Sequence, residues 1–291
     1  MERLRGPVDN YGGDVNEDNR LGAYLRARRE LVQPGDVGLP TSGVRRVPGL
    51  RREEVALLAG VSADYYLRLE QGRDRNPSPH VLESIARVLR LDEAGTSYLL
   101  GLVAPGSRRP RRRPRRAQVP TPLAQFLDVI GVPAFVEDRY LDILASNTLA
   151  RLVDPTLRVG ENRLRSFFLD PAVQALHLEW ESVTSSLVAS FRTSVGHDTD
   201  DPRFVELVGE LSLGSERFRQ LWARHDVMAL TSGTLLIDHP QVGSMTLHRQ
   251  KLTISDGSGL IVGAYHADPG SESAEKLALL ASLGTTETTP S

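Results

Sequence analysis

At 291 residues, 40% hydrophobic and 25% charged, the chain has the composition of a soluble globular protein with about two domains. It has no cysteine, which excludes disulfides, thiolate nucleophiles and cysteine metal sites, and no apolar run or signal-like start, which argues for the cytoplasm and against a membrane. The net charge of −2 conceals an asymmetry: residues 20–116 hold 20 Arg against 10 acids, whereas residues 1–19 and 117–291 are both acidic, so only the basic block is suited to a polyanion.

Residues 1–19 have no periodicity and several Gly and Asp, and read as a disordered acidic leader. Leu21, Leu25 and the basic residues from Arg26 to Arg29 predict a first helix that stops near Glu30, because Pro34, Gly35, Gly38 and Pro40 follow. After a loop to Pro48-Gly49, helices are expected at about 51–59 and 62–71, then over VLESIARVL (81–89). Asp92 caps a fifth helix, DEAGTSYLLGL. These elements make a helical domain over residues 20–104.

Residues 105–122, PGSRRPRRRPRRAQVPTP, read as a linker: the prolines oppose a helix and seven arginines oppose burial. Those arginines either grip DNA phosphates or form a solvated spacer. From Leu123 the texture turns to mixed α and β, giving a second domain over 123–284 and a tail over 285–291. VPAFVEDRYLDILASN predicts two short strands with a turn near Asp138-Arg139. Helices are expected at 147–153, about 171–191 and 202–223, the last beginning at Asp200-Asp201-Pro202. VMALTSGTLLIDH and GSMTLHRQKLTISDGSGLIVGAYHA return to strands, with a turn at Asp256-Gly257, and SESAEKLALLASL is a closing helix.

The stretch RREEVALLAGVSADYYLRLEQGR (51–73) carries the strongest signal. In a helix-turn-helix, Ala56 stands where the two helices approach most closely, and Gly60 stands at the turn, where φ > 0 is needed. Val55, Ala59, Val61, Tyr66 and Leu69 face the shared core, and Ser62 caps the second helix. The positions left exposed near that helix's start are Ser62, Ala63, Asp64, Tyr65 and Arg68, the end a recognition helix puts into the major groove. Arg68 can bond guanine bidentately, Asp64 can accept from a cytosine amine and Ala63 can touch a thymine methyl. Arg51 and Arg52 open the preceding helix and, with Gln71 and Arg73, form the candidate phosphate-contacting set. The adjacent tyrosines divide: Tyr66 reads as core, Tyr65 as a phosphate or base contact.

This unit, with PSPHVLESIARVLRL behind it, resembles the Cro/C1-type (XRE) helix-turn-helix proteins over residues 20–102. The resemblance implies an all-α, five-helix domain of the lambda-repressor-like type. It also implies a structural pair between an arginine on the first helix and a glutamate ending the recognition helix, here Arg29 and Glu70. A narrower resemblance extends over the remainder. GLPTSGVRRVPGLRREEVALLAGVS, PAFVEDRYLDILASN, NRLRSFFLDP, DDPRFVELVGELS to FRQLWARHDV, HPQVG and ADPGSESAEKLALL are similar to the MmyB-like branch of actinobacterial regulators. That branch implies an α+β, PAS-like ligand-binding domain, so the expected whole is a multidomain transcription regulator. Two departures stand out: Ser146 occupies a position where the family usually has Trp, and the Arg-rich linker is longer than the branch suggests.

The second domain offers little for catalysis. There is no G-x-S-x-G, H-E-x-x-H or phosphate-binding glycine loop, and no catalytic residue, cofactor or metal is expected. None of His177, His197, His225, His239, His248 and His266 lies three or four residues from another, which disfavours a helical metal pair. A PAS-like sheet with helices on one face instead encloses an apolar cavity. Phe135, Leu144, Phe167, Phe168, Trp180 and Trp222 are candidate lining, and Asn147, Arg165 and His239 candidate polar contacts, Arg165 suiting a carboxylate. Residue by residue, the same aromatics read better as ordinary core. The expected partners are double-stranded operator DNA, a second copy of the chain, and a small, largely apolar effector of the fatty-acid type that the resemblance implies. Two other readings stay open: a ligand-free architectural or dimerising DNA binder, and a DNA-tethered enzyme.

Overall fold

The computed structural model describes residues 19–40, 47–74, 76–103, 118–196, 201–229, 232–255 and 258–286. Nearly all of the expected leader, the linker arginines, Asp200, the Asp256-Gly257 turn and the end of the tail lie outside the described residues. The chain divides into two units.

The first unit is helical: α1 (Arg20–Leu31), a single 3-10 turn (Pro34–Val37), α2 (Arg52–Ala59), α3 (Ala63–Glu70) and α4 (Pro79–Val88), with α5 (Glu93–Gly101) at the division. Each start has a chemical cause. Asn19 Oδ1 accepts from the Gly22 N–H at 3.1 Å, and Ser78 accepts from Val81 with Pro79 in the first turn. That cap starts α4 two residues ahead of the apolar pattern. The inward faces are Leu21, Tyr24 and Leu25 of α1, Val55 and Ala56 of α2, Tyr66 and Leu69 of α3, and Leu82, Ile85, Ala86 and Val88 of α4. Burying each such leucine, isoleucine or valine contributes about 1.5–3 kcal/mol.

The second unit is built on a five-stranded antiparallel sheet of order β2-β1-β5-β4-β3, formed by β1 (Ala134–Glu137), β2 (Ile143–Ser146), β3 (Gly233–His239), β4 (Gly243–Thr253) and β5 (Ile261–His266). The pleat sends alternate residues to opposite faces. Phe135, Leu235, Ile237, Met245, Leu247 and Tyr265 join the main core, whereas Ala134, Val136 and Val262 join a smaller one. Over the main face lie α7 (Thr148–Val153), α8 (Arg163–Leu169), α9 (Pro171–Leu176), α10 (Trp180–Val195), α11 (Pro202–Gly214), α12 (Glu216–Ala223) and α13 (Glu272–Thr286).

Several expectations are corrected. The sheet is covered on both faces, because α6 (Thr121–Val129) packs Leu123, Leu127 and the following Ile130 against Ala134, Val136, Leu260 and Val262. Its start falls in the expected linker: Pro122 sits in the first turn, where a missing N–H leaves nothing unsatisfied. Helix α8 was not expected; Asn162 caps it, accepting from Arg165 N–H at 3.2 Å. The single helix expected at 171–191 breaks at His177, which is extended and bridges to Ile237 while Leu178 N–H donates to Leu236 O. The helix expected at 202–223 breaks at Ser215, whose hydroxyl caps α12 by accepting from Phe218 N–H. Strand β3 starts at Gly233, so Val227 and Met228 precede it rather than belong to it.

Candidate nucleic-acid interface and effector site

Gly60 ends α2 at φ 71°, the left-handed region, which reverses the chain within two residues. Ser62 Oγ then accepts from Tyr65 N–H at 3.1 Å and opens α3. The orientation of α3 follows from its buried stripe: Tyr66, Leu69 and Glu70 are shut in, which leaves Ser62, Ala63, Asp64 and Arg68 exposed and Tyr65 half-buried. The Arg68 guanidinium pairs with Asp64 one turn earlier and lies 5.8 Å from the Tyr65 ring centroid. The five expected base-reading positions therefore run along α3 from its N-cap, Ser62, to its last turn, where Arg68 stands. Asp64, expected to accept from a cytosine amine, is engaged with Arg68.

The helix is held by a buried carboxylate. Glu70 Oε1 accepts from Arg29 Nε at 2.6 Å, and Oε2 accepts from Arg52 Nε at 2.6 Å. Arg29 also donates to Leu50 O at 2.8 Å, and burial, which would lower its pKa, is outweighed by Glu70, which raises it. Burial and then the Glu70 charge push the Tyr66 phenol well up, and its hydroxyl makes no hydrogen bond. Arg52 was expected to be a phosphate arm beside Arg51, but the structure divides them. Arg51 is exposed at the start of α2, whereas the Nε of Arg52 is tied to Glu70 and its side chain is 41% exposed. Gln71 and Arg73 are exposed just past α3.

In the second unit the expected pocket is only partly assembled. Phe135, Phe167 and Phe168 belong to the main core, with Trp180 and Trp222 packed against it. The rings interlock: Phe168 stands edge-on to Phe218 at 5.3 Å, and Phe218 stacks on Trp222 at 5.7 Å. Leu144 lies with the smaller core on the other face of the sheet and does not join them. The three expected polar contacts are committed to protein groups. Asn147 Oδ1 accepts from Ala134 and Ala150 N–H groups, and its Nδ2 donates to Leu127 and Val132 carbonyls. Arg165 pairs with Glu210, and His239 bonds Leu152 O at 2.8 Å and the Gln241 N–H at 3.2 Å.

The expected set omitted a buried polar array on the main face. Glu137 is fully buried and takes two cations, Lys251 Nζ at 2.7 Å and Arg163 Nη1 at 3.3 Å. Burial alone would raise Glu137; Lys251 and Arg163 outweigh it and hold the carboxyl below the usual range. The Arg163 guanidinium sits 5.2 Å from the Phe135 centroid and 5.5 Å from that of Phe167, and its Nη2 reaches Tyr265 Oη at 3.5 Å. Nearby, His177 is buried against Phe167 with its Nε2 4.0 Å from Asp154. The signal was the alternation of β4, where Met245, Leu247, Arg249 and Lys251 share a face whose first two members are core.

A helix-turn-helix domain model matches residues 20–99, and the model of the MmyB-like transcription regulator ligand binding domain matches residues 119–280. The chain belongs to the MmyB-like transcription regulators. No curated protein matches the chain. This MmyB-like regulator joins a DNA-binding helix-turn-helix domain to a ligand-binding domain. No helix among its described residues is long and apolar enough to cross a membrane.

Proposed function

We propose that this regulator binds a two-fold-related operator as a homodimer, reading bases with Ser62, Ala63, Asp64, Tyr65 and Arg68 and phosphates with Arg51, Gln71, Arg73 and the exposed side of Arg52. The observation that carries the reading is the exposed side of α3, where Arg68 stands beside Asp64 on a helix fixed from behind by Glu70. The effector in this reading is small and largely apolar, of the fatty-acid type, and enters the aromatic side of the main core. Its binding resets the spacing of two DNA-binding domains in the dimer. The experiment is DNA binding by the purified full chain to one half-site and to paired half-sites. Dimeric reading requires tighter binding to pairs about one helical turn, ~34 Å, apart. Equal affinity for single and paired half-sites would remove the dimer.

One observation favours a second reading, a ligand-free dimerising DNA binder: the rings of Phe168, Phe218 and Trp222 interlock, and Asn147, Arg165 and His239 all have protein partners. Native mass spectrometry separates the two. A co-purified small molecule on the dimer supports the sensor, and a bare dimer that no apolar molecule stabilises supports the second reading.

A further inference from the structure

The first unit carries a groove that its base-reading residues do not use. It is open, about 610 Å³ in volume, and lies between the 3-10 turn, the end of α2 and α4. Val37, Leu58 and Val88 give it an apolar lining, and its charged lining is Arg87 and Arg90 against Asp36, a surplus of one positive charge. Arg87 Nη2 donates to the neutral Ser84 hydroxyl at 3.0 Å, and Arg90 lies 3.6 Å from Asp36 with its side chain 60% exposed. Leu58 and its neighbour Leu57 are both exposed, and a Cβ on Gly60 would meet nothing within 4 Å, so the space above the turn into α3 is free. Exposed leucines beside a basic rim suit a segment that is both apolar and acidic.

The chain carries such a segment ahead of α1. Residues 6–18 hold the acids Asp9, Asp14, Glu17 and Asp18, no Lys or Arg, and the apolar residues Val8, Tyr11 and Val15. The end of this segment is anchored: Asn19 Nδ2 donates to Glu70 O at 2.8 Å, and its Oδ1 caps α1. From that anchor the groove is about one helix away, because α1 has 12 residues, ~18 Å at ~1.5 Å each, and Asp36 follows soon after its end. An extended chain covers ~25 Å in about eight residues. Eight residues back from Asn19 is Tyr11, with Asp9 and Val8 just beyond it. A tether this short gives an effective concentration in the mM range, so a contact too weak to hold a separate peptide is populated within one chain.

We propose that the groove between α2 and α4 is the seat of the chain's own acidic leader, with Val8 and Tyr11 on its apolar lining and Asp9 on Arg87, and that the seated leader opposes DNA. Gly60 lines the groove two residues before Ser62, the cap of α3. The acids of the leader therefore stand beside the start of α3, where they repel approaching phosphates. The opposition to DNA rests on the proposal that α3 enters the major groove; the seat does not.

The chain has no cysteine, so an introduced pair has no native competitor. In the full chain, Tyr11→Cys is combined with Leu58→Cys or with Gln71→Cys, a control position that is exposed and nearer the Asn19 anchor. Under mild oxidation the pair at 11 and 58 should close within one chain on the order of tenfold faster than the pair at 11 and 71, whereas a leader without a seat favours the nearer position. Arg87→Glu should remove that advantage, and Asp9→Arg added to it should restore part. A second reading needs no cysteine: Leu58→Glu should speed chymotryptic cleavage after Tyr11 relative to the unaltered chain. The closed 11–58 protein should bind a random-sequence duplex on the order of tenfold more weakly than the same protein after reduction, by a factor that shrinks as salt rises. Equal closure at 58 and 71, or an unchanged cleavage rate, would overturn the seat. A disulfide joining two chains would give the groove to a second copy and overturn it too. Equal duplex binding by the closed and reduced protein would overturn the opposition to DNA. Binding by neither form would overturn the DNA-reading proposal together with that opposition, while the cross-link still decides the seat.

Discussion

Arg52 Nε lies 2.6 Å from Glu70 Oε2, so the first residue of α2 is fastened to the last residue of α3. Arg29 reaches the other oxygen of the same carboxylate from α1, and three helices therefore meet at one buried charge. The exposed side of α3 is held from behind by this junction.

Glu70→Gln should destabilise the first domain by about 3–5 kcal/mol, because it leaves Arg29 buried without its charge partner. Arg52→Ala should cost less, about 0.5–1 kcal/mol, since its side chain is 41% exposed and screened. Denaturant unfolding of Glu70→Gln, Arg29→Met and the double variant checks the junction. A coupling above about 1 kcal/mol is expected, and additive effects would mean that the two groups do not act together.

Asp138 gives a pH dependence of defined sign. Burial first, and then the charge of Asp142, push its carboxyl up to about 6, against the N–H bonds from Asp142 and Tyr140. The folded state therefore holds a proton that the unfolded state has released above about 4. Between pH ~4 and ~6 this group makes stability fall as pH rises, by on the order of 2–3 kcal/mol in all, and it has no further effect above that window. Asp138→Asn keeps an acceptor for both N–H groups and should gain stability at neutral pH while losing this slope. The two unfolding free energies, compared at pH 4, 5, 6 and 7, decide it. A constant difference between them across the range would show that Asp138 does not titrate there.

Glu137 carries the opposite risk. Glu137→Gln would leave Arg163 and Lys251 facing each other without their shared carboxylate. The second domain should lose about 3–5 kcal/mol, measured by thermal unfolding. Glu137→Gln combined with Lys251→Met should recover part of that loss, because one of the stranded charges is gone. No recovery would place the cost in packing rather than in charge.

The arginines at 111–113, 115 and 116 lie outside the described residues, but their chemistry makes a quantitative expectation. If they hold phosphates, their replacement by serine should flatten the dependence of log K on log salt by about 0.9 for each phosphate no longer neutralised. Base preference should not change. An unaltered slope would leave the segment as a spacer.

The helix-turn-helix was legible because every level of its sequence agrees. Ala56, Gly60, Ser62 and Tyr66 each have a local reason for their position, and short-range rules suffice to place them. The second domain was legible in its strands, where alternation is strong, and less so in its helices. Ser215 and His177 break helices whose apolar periodicity runs straight through them, the first by capping and the second by bridging to a strand more than fifty residues away. The effector site was the least legible part. Asn147, Arg165 and His239 looked like free polar groups, but their partners Ala134, Glu210 and Leu152 are set by tertiary packing. Arg249 and Lys251 were not among the expected site residues; alternation along β4 puts them on the face of Met245 and Leu247, and the pairing of β4 between β3 and β5 sets that face against the main core.

The central claim is that α3 reads DNA sequence, and binding-site selection with the unaltered chain and with Arg68→Ala tests it most directly. Arg68 is exposed beside Asp64 and Tyr65 on the helix that Glu70 fixes. The unaltered chain should select a defined motif. Arg68→Ala should lose about 1–3 kcal/mol at one base pair and relax the preference there, leaving the rest of the motif unchanged. Arg51→Ala, run alongside, should weaken binding to every sequence by a similar factor. An identical motif for Arg68→Ala and the unaltered chain would contradict the assignment of α3 to the major groove.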